Sequence, residues 1–83
     1  MPELLYTKHA LDVLHERRIP QEWVTRVVGT PALVEHAADG TVHYIGPIAE
    51  QDGRLLRVVL AGEPETHRVV TVFFDRRLRR KSP

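Results

Sequence analysis

Eighty-three residues with an apolar fraction of 42% suffice for one core and are too few for two domains. The chain has no cysteine, which removes disulfides and thiolate metal sites and fits a reducing cytoplasm. The formal charge of +1 conceals a division: residues 1–75 carry seven basic against eleven acidic side chains, and residues 76–83 carry five basic and none acidic. The expected organisation is therefore a domain over 1–75 and a basic tail over 76–83. Such a tail attracts polyanions such as RNA, with binding that weakens as salt rises. The plainer alternative is a solvated chain end.

At the start, Met1-Pro2-Glu3-Leu4-Leu5 has neither the basic nor the long apolar region of a signal peptide, and no apolar run approaches the ~20 residues of a membrane helix. A first helix is predicted over Lys8–Arg17. Thr7 is suited to cap it, because its hydroxyl can accept from an orphaned backbone N–H. Tyr6 and Leu11 stand where a hydrophobic staple would join them. Lys8 and His9 occupy the first turn, at the positive end of the helix dipole, where helix N–H groups also bind phosphates. Two readings follow: the corner holds an anion, or Lys8 reaches into water while His9 stays neutral. Pro20 is expected to open a second helix over 20–28, with Trp23, Val24, Val27 and Val28 on its apolar face and Gly29 just past its end.

From Ala32 the pattern changes to strands, over 33–37, 41–47, 54–60 and 67–74, punctuated by Asp39-Gly40, Asp52-Gly53 and a looser loop at 61–65. The expected fold class is α+β: two short N-terminal helices, then a four-stranded antiparallel meander with the helices packed on one sheet face. Taking each Asp-Gly as a two-residue turn pairs Glu35 with Tyr44, His36 with His43 and Ile48 with Arg57. One face then collects Val34, His36, His43, Ile45, Leu56, Val58 and Leu60, and the other Leu33, Glu35, Tyr44, Ile48, Leu55, Arg57 and Val59. The more apolar choice for the last strand adds Val70, Val72 and Phe74 to the first face and Val69, Thr71 and Phe73 to the second. A bulge at Gly46-Pro47 would alter these faces.

On this register Glu35, Tyr44, Arg57 and Thr71 share a face. Glutamate and tyrosine can transfer protons, and arginine can grip a phosphate with two parallel bonds. That set could cleave RNA without a metal: a base removes the 2′-hydroxyl proton, a cation steadies the phosphate and an acid protonates the leaving oxygen. An ordinary amphipathic sheet with a Glu–Arg pair explains the same residues. The five histidines form no H-E-x-x-H motif or close cluster, so no metal or other cofactor is expected. Neither a glycine-rich phosphate loop nor a Ser–His–Asp signature is present.

The string Y-T-K-H-A-L-x-x-L-x-E-R-x-I-P-x-E-W-V, followed by T-P, R-V-V-L and V-V-T-V-F-F, resembles the bacterial domain of unknown function numbered 4258. The resemblance runs from about Leu4 to Phe74. That family's layout is similar to BrnT toxins and, more distantly, to RelE/ParE-like toxins, in which a sheet face cleaves RNA. The resemblance implies His9 as acid/base or phosphate ligand, Arg57 and Arg17 as phosphate contacts and Thr71 as a positioning group; Tyr44, from the sheet-face set, would join Thr71. Lys8, Arg76, Arg77, Arg79 and Arg80 would add phosphate contacts. Where the pattern usually has an arginine, this chain has Val13. The expected partners are RNA and an antitoxin-like protein. The competing expectation is a non-catalytic module that docks a partner through its sheet face or an exposed edge.

Overall fold

The computed structural model describes residues 4–61 and 67–76. Most of the loop expected at 61–65, and Arg77, Arg79 and Arg80 of the basic tail, lie outside the described residues. The elements are β1 (Leu5–Tyr6), α1 (Lys8–Arg17), α2 (Gln21–Gly29), β2 (Leu33–His36), β3 (Val42–Ile48), a 3-10 turn (Ala49–Gln51), β4 (Arg54–Ala61) and β5 (Arg68–Phe74). The class is α+β, as expected, but the sheet has five strands rather than four, in the order β1-β5-β4-β3-β2. It is also mixed, because β1 runs parallel to β5 while the other neighbours are antiparallel. At two residues, β1 is too short for alternation to reveal it. Backbone bonds from the Leu5 N–H to the His67 carbonyl (3.1 Å) and the Thr7 N–H to the Val69 carbonyl (3.0 Å) hold it.

Thr7 caps α1, its hydroxyl oxygen accepting from the Ala10 N–H at 3.1 Å. The same hydroxyl donates to the Val70 carbonyl (3.4 Å), so one side chain starts the helix and ties it to β5. The staple does not form a buried contact. Tyr6 is drawn into β1 and packs against the core, and Leu11 remains 44% exposed. Arg18 ends α1 in the left-handed conformation (φ 55°), and the Ile19 N–H returns to the Leu14 carbonyl at 2.9 Å. Pro20 sits one position before α2 rather than in its first turn, and Gly29 is the last helical residue. Ala10, Leu14, Ile19, Val24 and Val27 pack with Ile48, Leu56, Val58, Leu60, Val69 and Val72 into one core. Burying each larger aliphatic side chain contributes about 1.5–3 kcal/mol. The covering helices stop short of β2, whose four residues are all exposed. No helix among the described residues is long and apolar enough to cross a membrane.

Both hairpin turns are longer than two residues, and that resets the sheet. The first closes with the Ala37 N–H on the Thr41 carbonyl (2.9 Å), leaving a three-residue loop with Gly40 at φ +89°. The Asp39 carboxylate supports the loop by accepting from the Thr41 N–H (3.0 Å) and hydroxyl (2.6 Å). Glu35 therefore pairs with His43 and Val34 with Tyr44. The second turn spans 49–53 through the 3-10 segment and left-handed Asp52, so Ile48 pairs with Arg54 rather than Arg57. A one-residue slip reverses every side chain of a strand. In β3 it carries Tyr44 and Ile48 to the helix-covered face and His43 and Ile45 to the face of Glu35, Arg57 and Thr71. The irregularity lies not at Gly46-Pro47 but between Val59 and Leu60, opposite Val70, and it returns Val69 to the core. Pro47 fits a regular strand because the β2 ladder stops at Ile45, so no neighbour needs its missing N–H.

Candidate functional site

Two polar constellations emerge, with opposite electrostatics. The first lies on the sheet face away from the helices and centres on Arg57. Its Nε donates to Asp75 Oδ2 (2.8 Å), and its Nη1 donates to Glu35 Oε1 (2.9 Å) and meets His43 Nδ1 (2.8 Å). A guanidinium only donates, so Nδ1 must accept, and His43 carries its proton on Nε2. That nitrogen lies 3.1 Å from the Thr41 hydroxyl, which itself donates to Asp39. The result is one hydrogen-bond chain from Asp39 through Thr41 and His43 to Arg57 and its two carboxylates. The Arg57 and Asp75 side chains are only 11% and 3% exposed, whereas Glu35 is 49% exposed. Burial works against the charged guanidinium, but the bonds to Glu35 and Asp75 outweigh it and hold Arg57 more firmly protonated than an ordinary arginine. The Thr41 hydroxyl, then its N–H, pulls the Asp39 carboxyl below its usual value.

The second constellation is a hollow of about 340 Å³ at the end of the sheet where β4 begins and β5 finishes. Arg17, Ile19, Arg54, Phe73, Phe74 and Arg76 line it. The three arginines come from the end of α1, the start of β4 and the residue after Asp75, so only the fold brings them together. Arg54 lies over the Phe74 ring, 4.5 Å from its centroid, and Trp23 meets that ring edge-on at 6.4 Å. Among the described residues, no ion pair neutralises Arg17, Arg54 or Arg76. Arg26, by contrast, bonds both Glu50 oxygens (2.8 and 2.9 Å) and Glu22 (3.2 Å).

The fold does not gather His9, Tyr44, Arg57 and Thr71 at one place. Arg57 and Thr71 share the open face, with Thr71 paired to Val59. Tyr44 packs against the helix-side core, and Lys8 and His9 are exposed on the first turn of α1, a helix covering that same side. Arg17 and Arg76, by contrast, meet in the hollow. The residues not anticipated as site members are His43 and Asp75 around Arg57, and Arg54, Phe73 and Phe74 beside the arginines. Thr41 beside Asp39-Gly40 was the one legible sign of the longer loop that redirects His43. Among the described residues, no three His, Asp or Glu side chains form a metal-binding group. At the open-face cluster the central cation is the Arg57 guanidinium.

No curated protein and no solved structure gives a significant match to the chain. Residues 6–74 match the family described as Domain of unknown function (DUF4258). That span runs from Tyr6, the second residue of β1, to the end of β5 and includes both helices and β2 to β5, and the chain belongs to this family.

Proposed function

We propose that the chain is a small toxin-like RNA-binding domain that works in the cytoplasm and grips phosphates at the Arg17–Arg54–Arg76 hollow. The observation that carries this reading is the convergence of three guanidinium groups from separate parts of the chain, none of them in an ion pair among the described residues. Like charges held together repel, and phosphate oxygens relieve that repulsion while accepting paired N–H bonds. Residues Arg77, Arg79 and Arg80 follow directly in the sequence and extend the positive charge. The test is fluorescence anisotropy with a labelled single-stranded RNA pool across a salt series. Losing three phosphate contacts lowers the slope of log K against log salt by about 2. The triple variant Arg17→Glu, Arg54→Glu, Arg76→Glu should therefore show a shallower slope and at least tenfold weaker binding. Unchanged affinity and slope would refute the reading.

Metal-free cleavage is the further claim of the toxin-like reading, and it falls on His9 rather than Arg57. Arg57 already bonds Asp75, Glu35 and His43 through its Nε and Nη1 donors. Incubation with RNA in EDTA checks this on a gel. An absence of new products, or products unaltered in His9→Ala, confines the function to binding.

A second reading has its own observation. Among the described residues, strand β2 is hydrogen-bonded on one side only, and Leu33 and Val34 are 44% and 40% exposed. Such an edge can accept an extended segment of a partner, as an antitoxin-like protein would supply. Size-exclusion chromatography with a candidate partner, using Val34→Pro to block the edge, separates this from RNA binding. Co-elution that survives the proline places the partner elsewhere.

A further inference from the structure

Phe73 and Phe74 are consecutive in β5, so their rings leave the strand on opposite faces. Both nevertheless line one hollow, because the hollow sits where the sheet ends and both faces open to it. The two rings are not equivalent there. Phe74 is held from both sides, by Arg54 at 4.5 Å and by Trp23 at 6.4 Å, with an interplanar angle of 70° to the indole. Phe73 is 38% exposed, a large apolar ring turned partly to water beside three cations that form no ion pair among the described residues. Its pairing partner on β4 is Arg57, whose Nε and Nη1 bond Asp75, Glu35 and His43.

An exposed aromatic ring beside guanidinium groups is the arrangement by which single strands are bound: bases stack on the ring and phosphates sit on the cations. A duplex keeps its bases stacked inside and cannot offer one to Phe73. The size of the hollow also decides. At about 340 Å³ it is at the lower end of ligand-sized pockets, room for one nucleotide rather than a helical segment. We propose that the hollow takes one unpaired nucleotide of single-stranded RNA, its base against Phe73 and its flanking phosphates among Arg17, Arg54 and Arg76. This rests on the RNA-binding reading above and names the form of RNA that the site accepts.

The test is anisotropy with a labelled single-stranded ten-nucleotide RNA and a duplex of the same length, on the full chain and on Phe73→Ala, Phe73→Leu and Phe73→Tyr. Stacking on one ring corresponds to roughly 5- to 150-fold in affinity. The native chain should bind the single strand at least tenfold more tightly than the duplex. Phe73→Ala and Phe73→Leu should each lose about tenfold on the single strand while keeping the salt slope, and Phe73→Tyr should retain affinity. Leucine keeps the apolar bulk at this position, so its loss would report the missing ring face rather than a collapsed fold. RNA bound with the same affinity by all four proteins, or equally as duplex, overturns the inference and leaves the arginine reading intact. No RNA bound by the native chain overturns both. Displacement of the strand by micromolar adenosine monophosphate would show a free nucleotide to be the ligand, and overturn the assignment to a strand.

Discussion

Replacing Arg57 by methionine distinguishes a structural cation from a ligand-binding one. The change removes a charge that is 11% exposed and takes from Asp75, 3% exposed, its bond to the guanidinium. Removing one member of a buried pair costs up to about 3–5 kcal/mol, because the remaining charge stays desolvated and loses an opposite charge. Glu35 contributes less: at 49% exposure its pairing with Arg57 is screened by water and falls below about 1 kcal/mol. A chain of this length has a total stability of only about 4–12 kcal/mol. Arg57→Met should therefore lose a large share of it, lowering the midpoint of thermal unfolding by roughly 12–40 °C.

Urea unfolding at pH 7, followed by far-ultraviolet circular dichroism, gives the order directly. Arg57→Met should be the most damaging, Asp75→Asn intermediate because Glu35 and His43 still hold the guanidinium, and Glu35→Gln nearly silent. Arg57→Met combined with Asp75→Leu should recover part of the loss, since an apolar pair replaces the buried Arg57–Asp75 pair. A loss below 1 kcal/mol for Arg57→Met would refute the structural assignment. If RNA affinity collapsed in that same stable variant, Arg57 would be a phosphate contact after all.

Thr7→Ala removes the α1 cap and the link to the Val70 carbonyl, and should cost about 1 kcal/mol in the same denaturant assay; no measurable change would show that neither bond contributes. Gly40→Ala should cost about 1–2 kcal/mol although nothing lies within 4 Å of the added methyl, because the penalty comes from φ +89° alone. Gly46→Ala, whose methyl would meet Val27 at an ordinary 3.5 Å, should be milder, and the reverse order would contradict the loop geometry. The bonds from Arg26 hold the Glu50 carboxyl at about 2, below the ordinary carboxylate range. Because the folded value is the depressed one, this stabilisation is present in full above the ordinary range and is lost as pH falls toward 2. Stability measured from pH 6 to pH 2 should fall less steeply in Glu50→Gln than in the native chain, and parallel curves would remove the pair from the account.

The helices were legible because their signals are local. Thr7, Pro20 and the i,i+4 valines of α2 act within one or two turns, and the structure moves the helix ends by a residue at most. The sheet was legible in class but not in register, since Asp39-Gly40 and Asp52-Gly53 each admit several loop lengths. What decided the first was the Asp39 carboxylate reaching the Thr41 N–H, a contact between side chain and backbone that a two-residue turn would not make. That single residue of slip exchanged Tyr44 for His43 beside Arg57 and Glu35. The strand β1 and the bulge at Val70 were illegible for a related reason. Both depend on backbone groups more than sixty residues apart, Leu5 with His67 and Thr7 with Val69 and Val70.

The arginines show what a formal charge cannot say. Arg26 and Arg57 each meet two carboxylates and are absorbed into the fold, so they add little to the field outside it. Arg17, Arg54 and Arg76 stand together without an acid among the described residues, which makes the local field positive in a chain whose formal charge is only +1. The β2 edge shares no residue with this hollow. A partner strand would bond the β2 backbone and leave the three arginines uncovered, so protein docking and RNA binding are independent measurements. Val34→Pro should therefore abolish docking at constant RNA affinity, and the arginine reversals should do the opposite. If either change moved both, the two surfaces would be coupled through Glu35, which lies on β2 and bonds Arg57, the residue paired with Phe73.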